Sequence, residues 1–369
     1  MYNLLTAYPG QFVSVCSSLY EAKKDPSFQI HAPRLQLSFK NDLLQRVFER
    51  FQSKLLPFLK FRIKRFAKKH GCTHIFAVYP NGPLLVASYQ VARDLGLPYY
   101  VHMHDLWEEN LRKGHPNRRL AEKYEQQILE GAECVFCMTE VQEEHLNKKY
   151  SIRTEILPHT VTQDALDQFP SGSELGSNQT KKVIYTGNIS HLMNLDAFKQ
   201  LVQAIDLLPD DYEFHIYTSW DEKVMKQYDI YHPRMKLGWA QKSEMNSILN
   251  SGDVLFLPLS FQNASMHEVN TVYATKTLDY LTSGTPILAY SPPTSYHSQH
   301  AMEHGWAHVV DRSEPKALAE AIETLCNDAE VASQVVNQAR VEAERRSASK
   351  HASRLHQLIE SNPTINTKN

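Results

Sequence analysis

At 369 residues the chain is too long for one ordinary core, so two domains are expected. Its 42% hydrophobic and 22% charged content is that of a soluble globular protein. No apolar run approaches the about 20 residues that a membrane-spanning helix needs, which excludes a helical span. The formal charge of −2 conceals an asymmetry: residues 1–165 carry 22 Lys+Arg against 17 Asp+Glu, and the remainder is acidic. Two domains with different partners fit that division. Five scattered cysteines and no visible leader at Met1-Tyr2-Asn3-Leu4-Leu5 point to a reducing, cytoplasmic setting.

Residues 1–9 read as a helix with Leu4, Leu5 and Tyr8 on one face, and Phe12–Ser17 as a strand. From Lys40 to Lys69 there are ten Lys+Arg and two Asp+Glu, with apolar residues at helical spacing and a break expected at Pro57. This segment suits either a basic helix lying on an anionic bilayer or a sheet-covering helix with a solvated face. No nucleic-acid recognition motif accompanies the charge. A strand at 73–79, a turn at Pro80–Pro83 and a helix at 84–95 follow, closed by Gly96. The strand Tyr99–Met103 runs into His104-Asp105-Leu106-Trp107; in an open parallel sheet, ligands sit at such carboxyl ends, which makes His104 a site candidate. A helix at 118–131 comes next. The strand at 132–138 then holds Cys134 and Cys137, read as buried structural thiols because residues three apart in a strand face opposite ways. Thr139 caps a helix, and a strand at 154–158 ends this half.

Residues 163–181 form a polar linker, so the expected division is 1–162, 182–345 and a C-terminal helix and tail at 346–369. The second half repeats the α/β rhythm. Strands are expected at 182–186, 213–218, 234–237, 254–257, 286–289 and 306–310, with helices at 194–208, 243–251, 315–327 and 330–360. One stretch concentrates the chemistry: Asp253–Tyr290 reads strand, loop from Ser260 to Asn270, helix and strand, with Gly284 closing the helix. Lys276 lies in the first turn of that helix, where free N–H groups and the positive dipole end attract phosphate. Asp279 follows one turn later, where a carboxylate can accept from ribose hydroxyls. A solvated Lys–Asp ion pair has the same spacing.

The order of motifs matters more than any one of them. His104-Asp105 at a strand end, Ile156-Leu157-Pro158, YTGNIS at 185–190, LGW at 237–239, and VLFLPLS followed by ATKTLDYLTSGTPILAY together resemble a retaining, family-4-like glycosyltransferase of the GT-B fold. The resemblance runs from residue 73 to residue 330. It implies two Rossmann-like domains facing across a cleft, the first lacking its first strand, which would lie before Met1. It implies a nucleoside-diphosphate sugar as donor and a glycan or lipid-linked acceptor, with no cofactor and no bound metal. Carried over, Lys276 binds donor phosphate, Asp279 holds the ribose, Gly187 and Asn188 approach the diphosphate and sugar, and Gly238 and Trp239 receive the base. His104 touches the donor sugar, Thr275 stands beside Lys276, and Thr271 occupies the place of a glutamate. Departures from the family pattern are Thr271, Ala274 for a proline, and His191–Asn194, which offer no cation after the glycine turn. The expected activity is therefore retaining sugar transfer in surface polysaccharide synthesis, at the inner face of the membrane if residues 40–69 contact it. A catalytically impaired scaffold and a sugar-nucleotide epimerase or hydrolase are the competing readings.

Overall fold

The computed structural model describes residues 2–13, 52–111, 113–170, 180–263 and 266–361. The chain divides into two compact units, Met1–Pro158 with Ser349–Asn369, and His159–Ala348.

In the first unit, β1 (Ile75–Tyr79), β2 (Tyr99–Met103), β3 (Cys134–Cys137) and β4 (Thr154–Ile156) form a parallel sheet in the order β1-β2-β3-β4. Parallel strands need long crossovers, and the helices Gly82–Leu95, Pro116–Glu130 and Glu140–Lys149 supply them. Local chemistry sets their ends. The Asn81 side chain accepts from the Leu84 N–H, Thr139 accepts from the Gln142 N–H, and Gly96 ends its helix in the left-handed region. β2 and β3 are buried along their whole length because both faces of the sheet are covered. Tyr99, Val101 and Met103 face a core with Val86, Val91 and Ile128, while Tyr100 and Phe136 face Leu4, Ala352, Leu355 and Ile359. The second face is thus closed by the helices Tyr2–Thr6 and Ala348–Glu360 from the two ends of the chain.

In the second unit, β5 (Lys181–Thr186), β6 (Tyr212–Tyr217), β7 (Met235–Gly238), β8 (Val254–Pro258), β9 (Ile287–Tyr290) and β10 (His308–Val310) form a parallel sheet. Its order is β10-β9-β8-β5-β6-β7. The chain steps outward from β5 through β7, then returns to place β8 on the other side of β5. That reversal makes the carboxyl ends of β5 and β8 a topological switch point, where open α/β sheets bind ligands.

Several expectations need correcting. The helix expected over 330–360 is two helices, Ala329–Arg345 and Ala348–Glu360. It breaks because Ser347 pairs with Val161: the Val161 N–H donates to the Arg346 carbonyl and the Ala348 N–H to the Val161 carbonyl, both at 2.8 Å. The helix beyond the break packs with the first unit rather than standing apart as a separate piece. The break expected at Pro57 falls one residue earlier: a 3₁₀ turn, Gln52–Leu55, gives way to the helix Leu56–Lys69, in whose first turn the missing N–H of Pro57 costs nothing. The linker begins with a helical turn, Gln163–Asp167, and the loop before Lys276 contains another, His267–Thr271. The helix carrying Lys276 ends at Leu281, so Gly284, at φ +76°, serves the turn into β9. Phe12 and Val13 are not in a strand; the rest of that expected strand, and residues 40–51 of the basic segment, lie outside the described residues. Cys134 and Cys137 are buried free thiols, and burial pushes the Cys134 thiol up to about 12.

Candidate functional site

The switch point is built on Tyr185, near the end of β5. Its phenol O–H donates to the Asn188 carbonyl at 2.6 Å and accepts from the Asn194 Nδ2 at 3.1 Å and the Lys276 Nζ at 2.8 Å. Asn194 also accepts the Ser190 N–H, so one amide fixes the turn after β5 from inside. Gly187 sits in that turn at φ +131°, a region closed to L side chains. A Cβ there would lie 2.8 Å from the Lys276 Nζ and 3.0 Å from its Cε. Glycine is therefore required by its backbone, and the flexible end of the lysine lies where a side chain would stand.

Lys276 reaches this place from the loop–helix segment between β8 and β9. Its ammonium stands 4.1 Å from the centroid of the Tyr185 ring. Lys276 is half-buried as a residue, but the surroundings of its ammonium are drier, and desolvation lowers its pKa to about 7. No carboxylate bonds to it among the described residues. A desolvated cation with a phenol and a ring face as partners is poised for an anion. The helix N-terminus contributes less than its sequence suggests. The Ala274 N–H is taken by the His297 Nε2, the Thr277 N–H by the Ala274 carbonyl and the Leu278 N–H by the Thr275 carbonyl. The N–H groups of Thr275 and Lys276 have no internal acceptor among the described residues.

The other expected residues divide. Gly238 closes β7 and pairs with Tyr217, whose carbonyl accepts the Gly187 N–H at 2.9 Å. Gly187 and Gly238 thus flank the end of β6, and Trp239 follows with 70% of its surface exposed. Asn188 is exposed, its Oδ1 accepting weakly from the Ser219 hydroxyl at 3.5 Å. Asp279 is solvent-exposed and makes no ion pair with Lys276. Desolvation by its neighbours raises its pKa, and the Lys242 charge opposes this. Thr275 is exposed at the helix start with its hydroxyl bonding no helix N–H. Thr271 ends the preceding helical turn, its hydroxyl donating to the His267 carbonyl.

His104 belongs to the first unit, just past β2. Its ring stands edge-on to His102 at 4.5 Å, and the His102 Nε2 is 2.8 Å from the Leu157 carbonyl. Desolvation lowers the His104 pKa to about 4, so the ring is neutral at physiological pH. Three residues further on, Trp107 is fully buried against Gly82, where a Cβ would meet the indole at 2.7 Å.

Sequence reasoning missed Tyr185, Tyr280 and Asn194. Tyr280 accepts the Thr186 N–H at 2.9 Å and so ties β5 to the Lys276 helix. Their only signal was position: Tyr185 precedes the glycine turn and Tyr280 follows Asp279.

A profile described as Glycosyl transferase 4-like domain matches residues 30–158, and one described as Glycosyl transferases group 1 matches residues 180–328. A search of curated proteins finds no match. Among solved structures, a glycosyltransferase from Rickettsia africae is similar with a TM-score of 0.68 at 11% identity, over 95% of this chain and 90% of that one. Sucrose-phosphate synthase from Thermosynechococcus elongatus gives 0.63 at 16% identity, over 89% of this chain and 81% of that one. HepE from Anabaena, solved with UDP and glucose, gives 0.61 at 13% identity, over 82% and 81%. Identities this low speak to fold alone, and the fold agrees with the two profiles taken in order. The chain belongs to the family-4-like glycosyltransferases of the GT-B fold.

Proposed function

We propose that the protein transfers a sugar from a nucleoside-diphosphate donor to a glycan or lipid-linked acceptor, with retention at the anomeric carbon, in surface polysaccharide synthesis. The observation that carries this reading is the Lys276 ammonium lying across Gly187 at the switch point, held by Tyr185. In this reading the diphosphate takes the place above Gly187 and draws the ammonium to itself. The barrier is charge separation between an oxocarbenium-like sugar and the departing diphosphate. Lys276 and the N–H groups of Thr275 and Lys276 are fixed where the negative charge develops, with no metal assigned to the task. Gly238 lets a base approach, and the exposed Trp239 indole offers it a stacking face. HepE holds UDP, which makes UDP the first nucleotide to test. Asp279 is assigned to the ribose and Asn188 to the transferred sugar; the role of His104, on the first unit, rests on the family resemblance alone.

The acceptor side has one supporting feature. Opposite the buried stripe Leu56, Leu59, Ile63 and Ala67, the helix Leu56–Lys69 exposes Phe58 and Phe61 beside Arg62, Arg65, Lys68 and Lys69. Lys60 and Lys64 are spent on Asp94. Two bare aromatics in a basic field suit the inner face of an anionic membrane and a lipid-linked acceptor. No helix among the described residues is long and apolar enough to cross that membrane.

The departures that favour an inert scaffold have structural uses. Asn194, where a cation was expected, anchors Tyr185, and His191 packs edge-on to Tyr228. The epimerase or hydrolase reading would be favoured by paired acid–base carboxylates lining both domains, and the sequence offers no evident pair. The test is release of nucleoside diphosphate from a panel of nucleoside-diphosphate sugars, with and without lipid-linked saccharide. Acceptor-stimulated release is expected. Donor binding with no release under any condition would favour the scaffold.

A further inference from the structure

We infer that His297 is a positioning residue for Lys276, holding the turn Tyr273–Thr277 in the one shape that lays the lysine over Gly187. This rests on the donor-site reading above. His297 lies on the helix Tyr296–His304 and is 1% exposed. Its Nε2 receives the Ala274 N–H at 3.3 Å and lies 3.2 Å from the Thr277 Oγ1. A backbone N–H can only donate, so Nε2 is the acceptor and the proton sits on Nδ1, which is buried with no hydrogen-bond partner among the described residues; the Thr277 hydroxyl shares the one Nε2 lone pair with the Ala274 N–H. One ring atom thus clasps the residues two before and one after Lys276. A protonated ring would lose both bonds, and the surroundings oppose protonation. Burial and the Arg346 guanidinium hold the His297 pKa down to about 3. Arg346 is itself buried, paired with Glu342 and stacked 3.8 Å from the centre of the Tyr273 ring. The other packed groups are Trp306 and His300; the Trp306 Nε1 donates to the His300 Nδ1 at 2.8 Å. The clasp is thus backed on one side by stacked rings and on another by a fixed cation. Nothing in this arrangement touches the candidate diphosphate position; it acts on donor binding only through the lysine.

The test measures UDP affinity and thermal stability of the full chain for H297L, H297Q and T277V. Leucine removes the acceptor, glutamine returns one at the same reach, and valine deletes one of the two donors at constant shape. UDP binding is expected to weaken at least tenfold in H297L and about threefold in T277V, with recovery to within threefold of wild type in H297Q. H297L should cost little further once Lys276 is already alanine, because the two residues act in series. The inference is overturned if folded H297L or T277V binds UDP as wild type does, or if the losses from H297L and K276A add. T277V keeps the test decisive should H297L not fold. A wild-type chain that binds no nucleoside diphosphate overturns the donor reading itself, and this inference with it.

Discussion

Replacing Gly187 by alanine strikes the site through one atom. The added Cβ would meet the Lys276 Nζ at 2.8 Å, inside any allowed contact, on a backbone at φ +131°. Two costs follow. Holding a non-glycine residue in that region costs about 1–3 kcal/mol, which lowers the melting temperature by several degrees. The ammonium must also retreat by about half an ångström, because carbon and nitrogen repel steeply inside contact distance. As the far end of a flexible side chain it can do so at little cost to the fold, but at the expense of its 2.8 Å bond to Tyr185 and its place over the turn. A hydrogen bond to a charged group is worth about 1.5–3 kcal/mol. Its loss from a bound diphosphate weakens affinity roughly 10- to 150-fold. Calorimetric titration of G187A with UDP, beside a thermal melt, reads both costs. If G187A melts lower but binds UDP with wild-type affinity, the lysine does not meet the phosphates and the reasoning fails.

The lowered pKa of Lys276 sets a pH dependence. With the free-protein value near 7, the ammonium is complete below that and lost above it, while bound diphosphate raises the value. UDP affinity should be flat below pH 7 and fall by up to about tenfold per unit above it, in calorimetry at constant ionic strength; K276R should remain flat to higher pH. Acid should destabilise the fold. His297 and His300 are held near pKa 3 against 6.5 in the unfolded chain, so their contribution is full above 6.5 and is lost as pH falls toward 3. The melting temperature should drop between pH 6.5 and pH 4.5, and less steeply in H297Q. Sedimentation with vesicles should show binding to anionic but not zwitterionic lipid. Binding should fall at least tenfold in a Phe58→Ala, Phe61→Ala double variant, since each ring buries about 1.5–3 kcal/mol of apolar surface. Equal binding by that variant would remove the membrane assignment.

Much of the fold was legible in the sequence because parallel strands buried on both faces leave short apolar runs with a proline or glycine at one end. Tyr99–Met103 and Val254–Pro258 are such runs. The glycine turn at 187 and the lysine at 276 were legible as motifs. Their contact was not: Lys276 and Tyr185 lie 91 residues apart, and no local pattern encodes which phenol receives a lysine. The break at Arg346-Ser347 was hidden because its cause is Val161, distant in sequence, with no glycine or proline to mark it. His297 was one of 18 histidines until its ring was seen to clasp the turn at Ala274. Asp279 shows the limit of spacing arguments: it lies one turn from Lys276 as expected, but the lysine turns inward to Tyr185, so the two form no ion pair and the carboxylate stays exposed.

The most direct measurement is a UDP titration of K276A against wild type, with circular dichroism and a melt on both. The account predicts that wild type binds, that K276A keeps its fold, and that its affinity falls at least a hundredfold. Wild-type affinity in a folded K276A would contradict the claim that this cation holds the diphosphate.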